Sequence, residues 1–332
     1  MTCLNPCLRR GYLLIPIRYR RWLFSAFLHT LGFLLILPYS YAGQISVAVF
    51  SSGSAPVYNQ VAKQLKSYLS EKCADVDPTC SPRQVFILTQ PTDGSTLVIQ
   101  PDTKLIIALG QHAGEEIHGM NTGIPILHAL IPEAAYQQMG KDKQHSAIYL
   151  DQPVSRLLQL ARIIRPDPHI GLLLSPLTKT LQDELITESL RQNIPVSYRN
   201  VGSTEMVGHL LKEVLEESNI LLALPDPTIF NSTTIFKILL SSYHNKIPVI
   251  GFSSAYVKAG ALIAAYSTPE DIARHLAEYT NRYLNSGAET LPEPIYPKYF
   301  SVSVNHSVAR SLGISLPDET DIIRRMLEDS KP

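Results

Sequence analysis

Ile220-Leu-Leu-Ala-Leu-Pro-Asp-Pro227 is a run of five apolar residues halted by Pro-Asp-Pro, and a helical pattern follows it over 228–243. An apolar run without polar alternation is what a strand looks like when both faces of its sheet are covered. The same unit recurs on either side. Ile170-Gly-Leu-Leu-Leu174 stops at Ser175-Pro176 before a helical pattern over 178–192, and Pro248-Val-Ile-Gly-Phe252 stops at Ser253-Ser254. A strand over 195–200 and a helix over 204–217 lie between them, and a helix over 154–164 opens the series after Asp151. Nearer the amino terminus, Ile45-Ser-Val-Ala-Val-Phe50 ends at Ser51-Ser-Gly-Ser54. It feeds a helix from Pro56 to Lys72 that carries Val57, Val61, Leu65 and Leu69 at four-residue spacing. Further strands read at 84–88, 105–109 and 124–131, the second of these ending at Gly110-Gln111. Repeated alternation of this kind predicts an α/β protein of two doubly wound parallel-sheet lobes joined by hinge strands.

The expected organisation is a signal peptide over 1–42, a first lobe over 44–151 plus 254–290 and a second lobe over 152–253. A Pro-rich crossover with a closing strand and helix follows over 291–332. Within the last parts, 261–265 reads as a short strand, 269–285 as a helix, 300–304 as a strand and the stretch ending at Gly313 as a short helix. No internal repeat or low-complexity tract interrupts this order.

Composition narrows the function classes. The 332 residues are 45% hydrophobic and 17% charged, with 29 basic against 29 acidic side chains, and no basic run lies beyond residue 21. A surface that tracks nucleic-acid phosphates is therefore disfavoured. Residues 1–42 hold Arg9, Arg10, Arg18, Arg20 and Arg21 and no acid; an apolar stretch from Leu23 to Leu37 precedes Ser40-Tyr-Ala42. A basic start, an apolar centre and a small-x-small exit form a secretory signal, with an uncleaved anchor as the alternative. Export without a lipid-bearing cysteine favours the periplasm. Cys73 and Cys80 are the two cysteines beyond the leader and flank a turn-like insert. In an oxidising compartment they suit a short-loop disulfide; two unpaired thiols are the other reading.

Chemistry in such sheets collects beyond the carboxyl ends of the strands. Here those ends are Ser51–Ser54, Gly110-Gln111-His112, Ile131-Pro132-Glu133, Ser175, Pro225-Asp226 and Ser253-Ser254. Small neutral hydrogen-bonding groups suit holding a polar molecule better than breaking one, although each is also an ordinary turn or cap. Asp226, between two prolines, could hold a ligand ammonium or hydroxyl, or could cap the helix that follows it. Gly251-Phe-Ser253-Ser-Ala255 approaches the nucleophile elbow of hydrolases, with Asp271 and His275 or His306 in order behind it. Position 255 is Ala, however, and no oxyanion glycine run is evident. His112 and Glu116 share one helix face while Glu115 and His118 lie on another, so a metal site does not converge. No P-loop, G-x-G-x-x-G or H-E-x-x-H occurs, so no cofactor is expected.

Leu221-Leu-Ala-Leu-Pro-Asp-Pro227 with Ile247-Pro-Val-Ile-Gly-Phe-Ser-Ser-Ala-Tyr-Val-Lys-Ala-Gly-Ala-Leu262 resembles the periplasmic substrate-binding components of ABC transporters. The particular family is the one with tryptophan- and phenylalanine-binding members. Tyr299-Phe-Ser-Val-Ser-Val-Asn305 and Ala309-Arg-Ser-Leu-Gly-Ile314 resemble that family's closing strand and helix. The resemblance implies the type I periplasmic-binding fold, a cleft that closes on a ligand, and no enzymatic activity. By position it implies ligand contacts from Ser51, Gly53, Ser54, Gly110 and Gln111 on one lobe and from Ser175 on the other. Asp226 would take a ligand ammonium, Tyr256 would lie nearby, and Ser253 and Ser254 would sit on a strand returning to the first lobe. Where many relatives have Asp-Pro after the fourth strand, this chain reads Ile131-Pro132-Glu133, a departure that bears on amino-acid specificity. The partners implied are a small polar or zwitterionic ligand and an inner-membrane ABC permease with its ATPase, met by a monomer. A periplasmic sensory module using the same cleft and a secreted serine hydrolase at Ser253 are the rival readings.

Overall fold

The computed structural model describes residues 46–328 apart from 52, 54, 77, 79–81, 90–96 and 141. The expected leader, Ser54 and Cys80 lie outside the described residues. Cys73 is buried and disulfide-bonded.

The first lobe is built on β1 (Ser46–Ser51), β2 (Gln84–Thr89), β3 (Thr103–Leu109), β4 (Ile126–Ile131) and β5 (His145–Tyr149), in the order β2-β1-β3-β4-β5 and parallel throughout. Its helices include α1 (Pro56–Leu69), the single turn α2 (Cys73–Val76), α3 (Gln111–Gly119) and α4 (Glu133–Gln138). The uninterrupted apolar runs have a direct cause. Val47 and Val49, with Leu105, Ile107 and Leu109, face the core under α1, while Ala48, Phe50, Ile106 and Ala108 face the opposite core under α3. Successive side chains alternate between two buried faces, so neither parity can be polar.

The second lobe repeats the plan. Helix α5 (Val154–Ile164) leads to β6 (Ile170–Leu174), α6 (Lys179–Arg191), β7 (Val196–Asn200), α7 (Val207–Glu216) and β8 (Ile220–Leu222). Then come α8 (Ile235–His244), β9 (Val249–Gly251), α9 (Ser254–Ala259) and β10 (Ile263–Tyr266). Helix α10 (Pro269–Ser286) returns to the first lobe, where Ile272, Ala273, Leu276 and Ala277 join the core under α1. Strand β11 (Ser301–Val304) and helices α11 (His306–Leu312) and α12 (Glu319–Glu328) close the second lobe. Its sheet runs β11-β10-β9-β8-β6-β7, with β11 antiparallel to β10.

Three expectations change. Residues 254–266, expected in the first lobe, build α9 and β10 on the second sheet, because Ile263 and Ala264 pair with Ile250 and Gly251 of β9. The first lobe thus regains the chain only at α10. The helix expected over 228–243 begins at Ile235. Before it, Asn231 and Thr234 hold a turn: the Thr234 hydroxyl donates to the Ile229 carbonyl at 2.5 Å, and the Asn231 side chain accepts from the Thr233 amide at 2.9 Å. Such side chains compete with helical hydrogen bonding. Finally, α12 lies beyond the last expected helix, and Ile322 and Met326 bury its stripe against the second-lobe core.

The lobes are joined at residues 150–153, at 267–268 and after Ile295. Ile295 pairs with the free edge of β5, receiving the Tyr149 amide at 3.0 Å and giving its own amide to Ala147 at 2.9 Å. The three crossovers are tied together. Gln152 donates to the Ser267 hydroxyl at 3.1 Å, and that hydroxyl donates to the Tyr299 carbonyl at 2.7 Å. Arg156 donates to the Gln152 side chain at 2.5 Å and to the Pro297 carbonyl at 3.2 Å, with its guanidinium 4.0 Å over the Phe300 ring. Thr268 and Asp271 form a capping box on α10, with Pro269 in its first turn. Replacing Arg156 by Met should remove these ties without emptying either core. The expected loss is ~1–3 kcal/mol in urea unfolding, with the far-ultraviolet spectrum unchanged.

Candidate functional site

A cavity of 420 Å³ lies where the crossovers meet the second lobe. Leu150, Asp151 and Gln152 supply one wall and Tyr266, Ser267, Thr268 and Pro269 another. The second lobe contributes Ala223, Leu224 and Pro225 after β8, Phe252, Ser253 and Ser254 after β9, and the apolar side chains of Leu157 and Leu181 from α5 and α6. Strand ends feed it because every parallel strand of a doubly wound sheet delivers its following loop to the same edge.

Of the residues expected at a ligand, Ser253 and Ser254 line this cavity. Ser253 caps α9, its hydroxyl oxygen accepting from the Tyr256 amide at 3.3 Å. Asp226 does not line it. Its carboxylate is 1% exposed, accepting from the Thr228 amide at 2.9 Å and from the Thr178 hydroxyl at 3.4 Å. Asp226 thus satisfies the turn at 227–229 and caps no helix, since the helix expected directly behind it begins only at Ile235. Ser175 is likewise buried, its hydroxyl accepting from the Leu177 amide at 3.1 Å. Tyr256 packs behind Phe252, ring centroids 4.6 Å apart, and belongs to the core shared with α7 and α8. Burial raises its phenol, and among the described residues the hydroxyl has no hydrogen-bond partner.

Ser51, Gly53, Gly110 and Gln111 lie at the carboxyl ends of β1 and β3 on the first lobe and do not line the cavity. Tyr58, a residue the apolar stripe of α1 passed over, brings these loops together. A Cβ on Gly110 would lie 2.7 Å from the Tyr58 hydroxyl oxygen, and one on Gly53 would lie 3.4 Å from its ring. Gly110 also has φ of +94°, which penalises any side chain. Gly110→Ala should therefore displace Tyr58 and cost ~1–3 kcal/mol of stability. Gly110→Ala in a Tyr58→Ala background should cost less, a coupling readable by a double-mutant cycle.

Residues expected of a hydrolase are engaged elsewhere. Asp271 completes the α10 capping box, His275 accepts the Lys298 amide at 3.2 Å, and His306 pairs with Glu319 at 3.5 Å. Burial pushes the His275 imidazole down to about 4, so it is neutral. On α3, Gln111 binds Glu115 at 2.8 Å, and the His118 ring meets His145, Nδ1 to Nδ1, at 3.4 Å. Among the described residues no three His, Cys, Asp or Glu side chains converge to hold a metal.

The hinge carries groups that sequence reading treated as a boundary. Asp151 is 7% exposed, and its Oδ2 accepts from the Glu133 amide at 2.7 Å. Burial pushes its carboxyl up to about 6, outweighing that hydrogen bond, with Glu133 and Glu184 adding to the rise. The Tyr296 hydroxyl lies 2.6 Å from Glu133 of the first lobe and 2.9 Å from Glu184 of the second. One phenolic proton cannot serve two carboxylates, so both contacts are hydrogen bonds when one carboxyl is itself protonated. Burial and then Glu133 raise Glu184 in that direction.

The Asp151 shift fixes a sign. From an ordinary 3.8, a raised native value means the folded state holds the proton more tightly. The associated stability is present at acid pH and is lost as pH rises through about 6. Asp151→Asn retains an acceptor for the Glu133 amide without the charge. It should match the wild type near pH 4 and exceed it by on the order of 2 kcal/mol above pH 7, measured as urea midpoints across that range.

No family model and no curated protein matches the chain by sequence. Solved structures do match its fold. An ABC domain in complex with L-Trp from Streptococcus pneumonia superposes with a TM-score of 0.56 at 16% identity, covering 85% of this chain and 98% of that one. A substrate-binding protein with adhesive properties from Clostridium difficile, in a ligand-free, open structure, gives 0.63 at 16% identity, covering 82% and 96%. A conserved domain protein from Vibrio cholerae gives 0.56 at 17% identity, covering 85% and 98%. At such identities the likeness is one of fold. The chain has the type I periplasmic-binding fold, two parallel-sheet α/β lobes joined by crossovers. Among the described residues no helix is long and apolar enough to cross a membrane.

Proposed function

We propose that this chain is a non-enzymatic solute-binding protein, exported to the periplasm, that captures a small molecule at its hinge and presents it to an inner-membrane ABC permease and its ATPase. The observation that carries the reading is the 420 Å³ cavity whose walls come from two crossovers and from the strand ends of one lobe. A ligand seated there touches the segments that must bend if the lobes approach. Binding energy can then be spent on selecting one lobe arrangement over another, which a membrane partner can distinguish. The first-lobe loops at Ser51, Gly53, Gly110 and Gln111 would meet the ligand from the opposite side on closure, as the sequence resemblance implies. The fold is shared with a protein solved in complex with L-Trp and with one described as a substrate-binding protein. That likeness supports the reading without fixing the ligand.

A thermal-shift screen of amines, amino acids, nucleosides, sugars and small organic acids tests it. A true ligand at a hundred times its dissociation constant should add ~2.7 kcal/mol and raise the melting temperature, and small-angle scattering should show a smaller radius of gyration with ligand. Binding with an unchanged scattering profile would count against closure. A serine-directed fluorophosphonate should leave Ser253 unlabelled.

A further inference from the structure

The polar groups lining the hinge cavity are unequal in what they have left to give. The Ser267 hydroxyl proton goes to the Tyr299 carbonyl and its oxygen receives Gln152. The Thr268 hydroxyl donates to Asp271 at 2.7 Å and receives the Asp271 amide at 3.1 Å. The Tyr266 hydroxyl is paired with Ser303 at 2.8 Å. These groups are already committed, Ser267 to the crossovers, Thr268 to the α10 cap and Tyr266 to the β10–β11 pair. Among the described residues Asp151 is the one carboxylate on the wall, and no Lys, Arg or His side chain among them lines the cavity beside it. The nearby guanidinium of Arg156 is directed to Gln152, Pro297 and Phe300. Glu133 binds Asp151 through its amide and, like Glu184, sends its carboxyl to Tyr296, which adds negative charge close by. The remaining walls, Leu157, Leu181, Leu224, Phe252 and Ala265, are apolar.

We infer that the hinge cavity takes a monocationic amine with an apolar body, whose ammonium pairs with Asp151. This inference rests on the solute-binding reading and narrows its ligand class away from the zwitterion that the sequence resemblance suggested. A buried carboxylate without a cation favours a ligand that brings one, since ion pairing offsets the desolvation that the fold already imposes on Asp151. A ligand carboxylate would instead meet Asp151, with the Glu133 and Glu184 carboxyls that share the Tyr296 hydroxyl close by and no side-chain cation among the described lining residues to receive it. The Ser253 and Ser254 hydroxyls remain to accept the other ammonium hydrogens or to bind a hydroxyl on the ligand.

Isothermal titration of the protein with hexylamine, cyclohexylmethylamine and phenethylamine tests this, each beside its matched alcohol and its α-carboxylated amino acid. At least one amine should bind tenfold or more tighter than both of its partners. Asp151→Asn should weaken that amine at least about 30-fold, the scale of losing one member of a buried charge pair, while its melting curve remains that of a folded protein. An amino acid or alcohol binding as tightly as its amine, no amine binding, or undiminished amine affinity in folded Asp151→Asn would each overturn the assignment. In those cases a non-amine ligand from the wider screen would leave the solute-binding reading standing. If the wider screen also gave no ligand, that reading would fall with it.

Discussion

The connection between the two lobes depends on the hydrogen-bonded tie among the three crossovers. Gln152, Ser267 and the Tyr299 carbonyl form a continuous chain of donors and acceptors, and Arg156 links Gln152 to the Pro297 carbonyl of the third crossover. Each lobe has its own cores and needs no help from the other to bury apolar surface. The tie fastens the two sandwiches to one another, because it links each crossover to its neighbours by hydrogen bonds. Two members of the tie, Gln152 and Ser267, also line the cavity.

A second connection spans the lobes outside this tie. Tyr296 reaches a carboxyl on each side, and its ring stands edge-on to Tyr149, which meets Tyr136 and then His128. These rings lie in the interior at the edge of the first sheet, where Ile295 completes the backbone pairing of β5. Burial, reinforced by the neighbouring His145 and His118, pushes the His128 imidazole down to about 3. The first-lobe end of this ladder is therefore neutral across physiological pH, and the charge is concentrated at the hinge end.

The strands were legible because fully buried parallel strands must be apolar at both parities, as Leu172 and Leu173 show by facing different cores. The apolar stripe of α1 and the extent of α5 were legible for equally local reasons. What the sequence concealed is non-local. Asp151 looked like a boundary, since nothing in Leu150-Asp-Gln-Pro153 tells that it will accept the Glu133 amide or that Ser267 will meet Gln152. The strand at 263–266 carries no mark of which sheet it will join, and pairing with β9 decides that. Asp226 drew attention for its prolines, and those same prolines go with a turn in which the carboxylate satisfies the chain's own amide.

The return of α10 to the first lobe has a consequence for how the chain matures. The core under α1 needs Ile272 and Leu276, and the second sheet needs β11 and the Ile322 stripe. Neither half can finish until roughly the last sixty residues are at hand, so productive collapse is postponed to the end of the polypeptide.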